Sequence, residues 1–167
     1  MVVGIRIAQA LATIRRRLMP NFNILATNHT SFTVSNLDRT VAFFRDALGF
    51  DVTSKAPRNP SLIERITGVE GADVMIAYVR GSGHSLELIE YAGPDDRSSV
   101  YPRPCDVGFA HVAYDVDDID AAIETSSVHY VKTIGPVTVI DQGPNQGSRV
   151  AYLRDPDGIT IEFIEKA

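Results

Sequence analysis

Apolar and polar positions along this chain fall into the same order twice. Residues 29–34 alternate through Phe32, Thr33 and Val34, the period of a half-buried strand. Asn36 and Asp38 then supply helix-cap chemistry, and Leu37, Val41, Phe44 and Leu48 recur at i, i+4, i+7 and i+11. Gly49 marks the stop of that helix. A strand is predicted from Phe50 to Ser54, then a loop over 55–61 with Pro57 and Pro60. A short helix over 62–70 ends near Gly68. Strands over 74–80 and 85–91 flank the turn Gly81-Ser82-Gly83. The order is β-α-β-β-β.

The second half repeats it. Strand 109–116 leads to a cap at Asp117 or Asp118, then to a helix carrying Ile119, Ala122 and Ile123 as far as about Ser126. Strands near 136–141 and 148–154 flank Gly143-Pro144-Asn145-Gln146-Gly147, which reads equally well as a mobile lid or a plain hairpin loop. Asp155-Pro156-Asp157-Gly158 is a turn into a last strand over 159–165. His29 and His111 open the two halves, with Val34/Val116, Leu37/Ile119 and Val41/Ile123 all offset by the same 82 residues. The closing strands, Leu86-Glu87-Leu88-Ile89-Glu90 and Ile161-Glu162-Phe163-Ile164-Glu165, are offset by 75. The second half is therefore shorter by seven residues in its middle. A repeat this long indicates two copies of a small mixed unit rather than a solenoid.

The expected organisation is an amphipathic N-terminal extension over 1–26, a first βαβββ module over 27–92, a linker over 93–106 and a second module over 107–167. In the extension, Ile5, Ala8, Leu11, Ala12, Ile14 and Leu18 keep helical spacing. Arg15, Arg16 and Arg17 come after most of the apolar positions, the reverse of a secretory signal. The expected reading is an added helix over a dimer face or an over-long start, with an organellar transit peptide as the alternative. Of the 167 residues 22% are charged, and the net charge of −5 argues against nucleic acid or an anionic membrane as partner. One cysteine, Cys105, permits no internal disulfide and fits a cytoplasmic setting. No apolar run has the roughly 18 residues that span a bilayer.

Candidate chemistry follows from strand alternation. Glu87 shares a face with Ile89 and Tyr91, and Glu162 shares one with Thr160 and Ile164. A carboxylate among apolar neighbours is costly unless paired or bound to metal. A lone histidine or glutamate on a strand is more often a packing or edge residue. The repeat changes that balance, because pseudo-twofold symmetry would bring His29, Glu87, His111 and Glu162 to one axis. Two imidazoles and two carboxylates suit one divalent ion: Zn, Ni, Co, Mn or Fe. Met75, Tyr78, Tyr91 and Tyr152 are candidate liners of a substrate pocket, with core packing the plainer alternative. His84 and His129 fall outside the pattern, and Glu90 and Glu165 fall on the helix-packed face or the strand end.

HTSFTVSNLDRTVAFFRDALGF, LELIEY, GFAHVAYDVDDIDAAIE and YLRDPDGITIEFIE together resemble the vicinal oxygen chelate superfamily over residues 27–166. That superfamily includes glyoxalase I, methylmalonyl-CoA epimerase, extradiol dioxygenases, and fosfomycin- and bleomycin-resistance proteins. The resemblance implies an α+β fold of two paired βαβββ modules in an open, cup-shaped sheet around one metal. It places His29, Glu87, His111 and Glu162 at the four ligand positions. A glutamate at position 87 is similar to glyoxalase I, where epimerases usually carry Gln. It implies an isomerase, epimerase or lyase that moves a proton next to a substrate carbonyl through a metal-bound enolate, with Glu162 or Glu87 as the base. The alternatives are a non-catalytic antibiotic-type binding protein and an Fe(II) dioxygenase. Residues 53–72 do not match the glutathione-binding segment, and Phe44 stands where glyoxalase I has Tyr. The expected partners are a small-molecule substrate and a second copy of the chain.

Overall fold

The structure is a computed structural model and describes residues 22–167. Most of the expected N-terminal helix lies outside the described residues. Residues 23–29 run without regular structure into the first strand, leaving Phe22, Ile24 and Leu25 largely exposed. No helix among the described residues is long and apolar enough to cross a membrane.

The first half contains β1 (Thr30–Val34), α1 (Leu37–Ala42), β2 (Asp51–Pro57), α2 (Pro60–Thr67), β3 (Asp73–Gly81) and β4 (His84–Gly93). The second contains β5 (His111–Val116), α3 (Ile119–Val128), β6 (Lys132–Thr133), β7 (Thr138–Val139), β8 (Arg149–Arg154) and β9 (Thr160–Glu165). The sheets run β1-β4-β3-β2 and β5-β9-β8-β6, with β7 also on β8. In each, the opening strand lies parallel to the closing strand and the other pairs are antiparallel. This is the expected α+β architecture of repeated units.

The chemistry of each helix start repeats as well. Asn36 accepts from Arg39 N at 2.9 Å, and Asp118 accepts from Ala121 N at 3.0 Å. The last glutamate of each closing strand completes the cap: Glu90 accepts from Leu37 N at 2.6 Å, and Glu165 from Ile119 N at 2.8 Å. These carboxylates satisfy N–H groups that a helix start leaves free and face its positive end. Glu90 and Glu165 therefore hold each helix on its sheet.

The first helix departs from the predicted stripe. After Ala42 it widens into a π-helical turn, Phe43–Ala47, which shifts the facing residue by one position. Phe43 and Phe44, adjacent in sequence, are thereby both buried. Gly49 takes a φ of 70° and Gly68 a φ of 72°, so both expected stops are left-handed. The predicted strand at 136–141 reduces to Thr138–Val139, with Lys132–Thr133 as a second short piece on the same neighbour.

One core joins the halves. Val34, Leu37, Phe44, Val79, Leu86 and Leu88 pack with Ile119, Leu153, Ile161 and Phe163. Leu86 and Leu88 alternate with Glu87, and Ile161 and Phe163 flank Glu162. The face bearing each glutamate is thus turned away from the shared core. The DPDG turn adds a polar bridge: Asp157 accepts from Ser35 N at 2.9 Å and from Arg39 Nη2 at 2.7 Å. Burial pushes the Asp157 carboxyl up, but hydrogen bonds from Ser35 and Arg39 hold it below the usual range.

Candidate metal centre

Register places each histidine against its glutamate. Ser31 pairs with Glu87 across β1 and β4, so His29, two residues earlier, projects from the same face. Ala113 pairs with Glu162 in the same way, two residues after His111. The residue opposite each carboxylate is small, which leaves room for the imidazole to lean over it. His29 Nε2 lies 3.2 Å from Glu87 Oε2, and His111 Nε2 lies 3.0 Å from Glu162 Oε2. The histidine side chains are 31% and 33% exposed, the glutamates 14% and 17%. Each pair is open to solvent through its imidazole. His29 immediately precedes β1 rather than lying in it.

The four residues form two pairs, not one cluster. No group of three or more His, Cys, Asp or Glu side chains suited to a metal occurs among the described residues. The core explains why: it lies between the sheets, on the face opposite each glutamate. The convergence on one axis expected from the repeat therefore does not occur within one chain.

Each pair does suit part of a metal site. Two ligands about 2.1 Å from one ion are about 3.0 Å apart at a right angle and about 3.4 Å apart in a tetrahedron. The observed 3.2 and 3.0 Å fit neighbouring positions on one ion. They fit an imidazole–carboxylate hydrogen bond equally well.

A tyrosine stands across from each glutamate: Tyr78 on β3 opposite Glu87, and Tyr152 on β8 opposite Glu162. The Tyr78 hydroxyl donates to Glu87 Oε1, and its ring meets His29 edge-on at 5.7 Å. That hydrogen bond, then burial, then the Glu87 charge raise the Tyr78 phenol above its ordinary value. Tyr152 lies beside the His111 ring at 4.9 Å, and Phe109 stacks on Tyr152 at 6.4 Å. Burial, then the Glu162 charge, raise its phenol.

The other expected liners are placed differently. Tyr91 shares the Glu87 face but packs at the edge of a small second core of Ile63, Ala72, Val74 and Ile76. Helix α2 covers that end of the sheet through Ile63. Met75 alternates with Ala77 and Val79 onto the opposite face, across from Glu90, and so does not share the face of Tyr78. His84 Nε2 lies 2.9 Å from Thr30 Oγ1 and takes no part in either pair. Cys105 is exposed.

An apolar wall beside Glu162 was not evident in the sequence. Ile134, Pro136, Ile140, Val150 and Tyr152 line a cavity of about 480 Å³ that Glu162 borders. The signal was weak because most of these residues lie outside regular strands. The small residue two places after each histidine was readable, in His29-Thr30-Ser31 and His111-Val112-Ala113.

A mixed sheet presented twice, each copy offering one imidazole and one carboxylate from its outer face, defines a repeated βαβββ scaffold that displays polar donors. The chain belongs to the Glyoxalase/Bleomycin resistance protein/Dioxygenase superfamily, whose family model matches residues 26–163. It is 33% identical over 145 residues to a 2-epi-5-epi-valiolone epimerase from Actinomyces sp, covering 84% of this chain and 79% of that protein. It is 30% identical over 140 residues to a lactoylglutathione lyase from Haemophilus influenzae, covering 82% and 90%. Among solved structures it matches a glyoxalase family protein from Bacillus cereus with a TM-score of 0.76 and 26% identity, over 89% and 98% of the two chains. Both named relatives are enzymes by name, one an epimerase and one a lyase.

Proposed function

We propose that this protein is a divalent-metal-dependent isomerase, epimerase or lyase that transfers a proton next to the carbonyl of a small organic substrate. The observation that carries the reading is the pair of His–Glu donor sets, 3.2 and 3.0 Å apart, at equivalent positions on two outward sheet faces. His29, Glu87, His111 and Glu162 would hold the metal. Because the two faces of one chain point apart, a complete set needs His29 and Glu87 of one copy beside His111 and Glu162 of a second. The working form is then a homodimer with two sites.

Bound there, a divalent ion supplies a Lewis acid for the substrate oxygen and so acidifies the neighbouring C–H. The remaining work belongs to the chain. A glutamate oxygen within reach of that C–H takes the proton and holds it. A proton given to the same carbon from the opposite face by the second glutamate inverts it; return of the held proton to the adjacent atom isomerises the substrate. Tyr78 flanks the His29 ring, and Tyr152 and Phe109 flank the His111 ring, so each imidazole is oriented by aromatic neighbours. The wall of Ile134, Pro136 and Ile140 carries no cation, which favours an uncharged, partly apolar substrate body over a glutathione adduct.

The test is elemental analysis and light scattering of protein purified without chelator, beside Glu87→Ala and His111→Ala. The expected result is a dimer with near-stoichiometric Zn, Ni, Co or Mn, lost in both variants with the fold retained. Refolding the two variants together should restore metal to half the sites of each mixed dimer. A native-like protein that takes up no metal after reconstitution would sink the proposal and leave a non-catalytic binding protein.

A further inference from the structure

The two halves match in register but not in how they hold their carboxylates. Glu87 is engaged at both oxygens: Oε1 accepts from the Tyr78 hydroxyl, and Oε2 faces His29 Nε2 at 3.2 Å. Tyr78 also closes against the His29 ring at an interplanar angle of 86°, so one side chain braces both members of the pair. In the second half, Tyr152 occupies the equivalent place but lies against the imidazole, with ring planes 38° apart. Among the described residues its hydroxyl donates to no carboxylate, and the side-chain partner of Glu162 is His111 alone. Glu162 also borders the cavity walled by Ile134, Pro136 and Ile140.

A carboxylate held at both oxygens on a rigid strand has lost its rotational freedom before any ligand arrives. One held at a single oxygen beside open space has not. We propose that Tyr78 is a positioning residue that fixes Glu87, so that His29–Glu87 is the preformed half of the donor set and His111–Glu162 the yielding half. This rests on the metal-dependent reading above. It goes further in making two symmetry-related glutamates unequal in how firmly each is held.

The test uses Co(II) alone as probe, titrated into the metal-free full-length protein and followed by its visible absorption. Loss of a group that orients a metal ligand typically weakens affinity about 10- to 100-fold. Tyr78→Phe is expected to fall in that range, and Tyr152→Phe to stay within about twofold of the parent. Glu87→Gln should cost more affinity than Glu162→Gln. Thermal melts of the parent and the four variants separate lost affinity from lost fold, and the Phe variants should melt close to the parent. Equal affinities for the two Phe variants, or a larger loss for Glu162→Gln, would overturn the assignment of Tyr78 alone. A parent protein that binds no Co(II) overturns the metal-dependent reading together with it.

Discussion

Asp155 gives the sharpest test of the packing. It is 6% exposed, beneath the turn that bridges the two halves. Its Oδ1 accepts from Asp157 N at 2.9 Å and from Ile159 N at 2.8 Å. Burial nevertheless dominates and raises its pKa from 3.8 to about 6. The native state therefore keeps a proton over a pH range where the unfolded chain has lost it. Stability from this group is fully present below about pH 4 and falls as pH rises through about 6. The whole difference amounts to roughly 3 kcal/mol, at about 1.4 kcal/mol for each tenfold step. Asp155→Asn keeps an oxygen for both N–H groups and cannot ionise. Relative to the parent it should gain about 2 kcal/mol between about pH 4.5 and pH 8. Urea denaturation of both proteins at several pH values measures the difference directly. The reasoning fails if the stability gap is independent of pH, or if it narrows in favour of the parent as pH rises.

Two further substitutions probe the elements that place the site. Glu165→Ala removes the acceptor of Ile119 N and a partner of Arg149 Nη1 at 3.2 Å, and should cost about 1–2 kcal/mol in denaturant melts. A loss below a few tenths would show that the cap does not hold α3. Gly81→Ala would set a methyl 2.5 Å from Phe50 Cδ1, an overlap expected to cost about 1–3 kcal/mol. An unchanged melting temperature would show that Phe50 gives way freely.

Much of the fold was readable because its signals are local. Asn36, Gly49 and Gly68 act where cap chemistry puts them, and alternation assigned opposite faces to Leu86 and Glu87. The π-helical turn was not readable, since Val41, Phe44 and Leu48 satisfy an ordinary helical stripe. The burial of Phe43 beside Phe44 depends on what packs against them. His29, Glu87, His111 and Glu162 were singled out by repetition, and their pairing follows from the β1–β4 and β5–β9 registers. Their separation into two pairs was not, because alternation tells which face a residue takes but not which faces share a core. The DPDG turn read as a plain turn. The partners of Asp157 lie more than 100 residues earlier in sequence, at Ser35 and Arg39, with no local trace.

The closing strands carry a constraint on how this chain can change length. Glu87 and Glu90 are three residues apart, so β4 turns one to the outer face and the other to the start of α1. Glu162 and Glu165 do the same on β9. Deleting one residue between them would swing both carboxylates to one side and cost either the His–Glu pair or the cap. Insertions and deletions are thus barred from that stretch and must fall elsewhere. The two halves record this: the second lacks any counterpart of α2 and spends only the short β6 and β7 there. The seven-residue difference sits in the one part of the unit where chain length is free to drift.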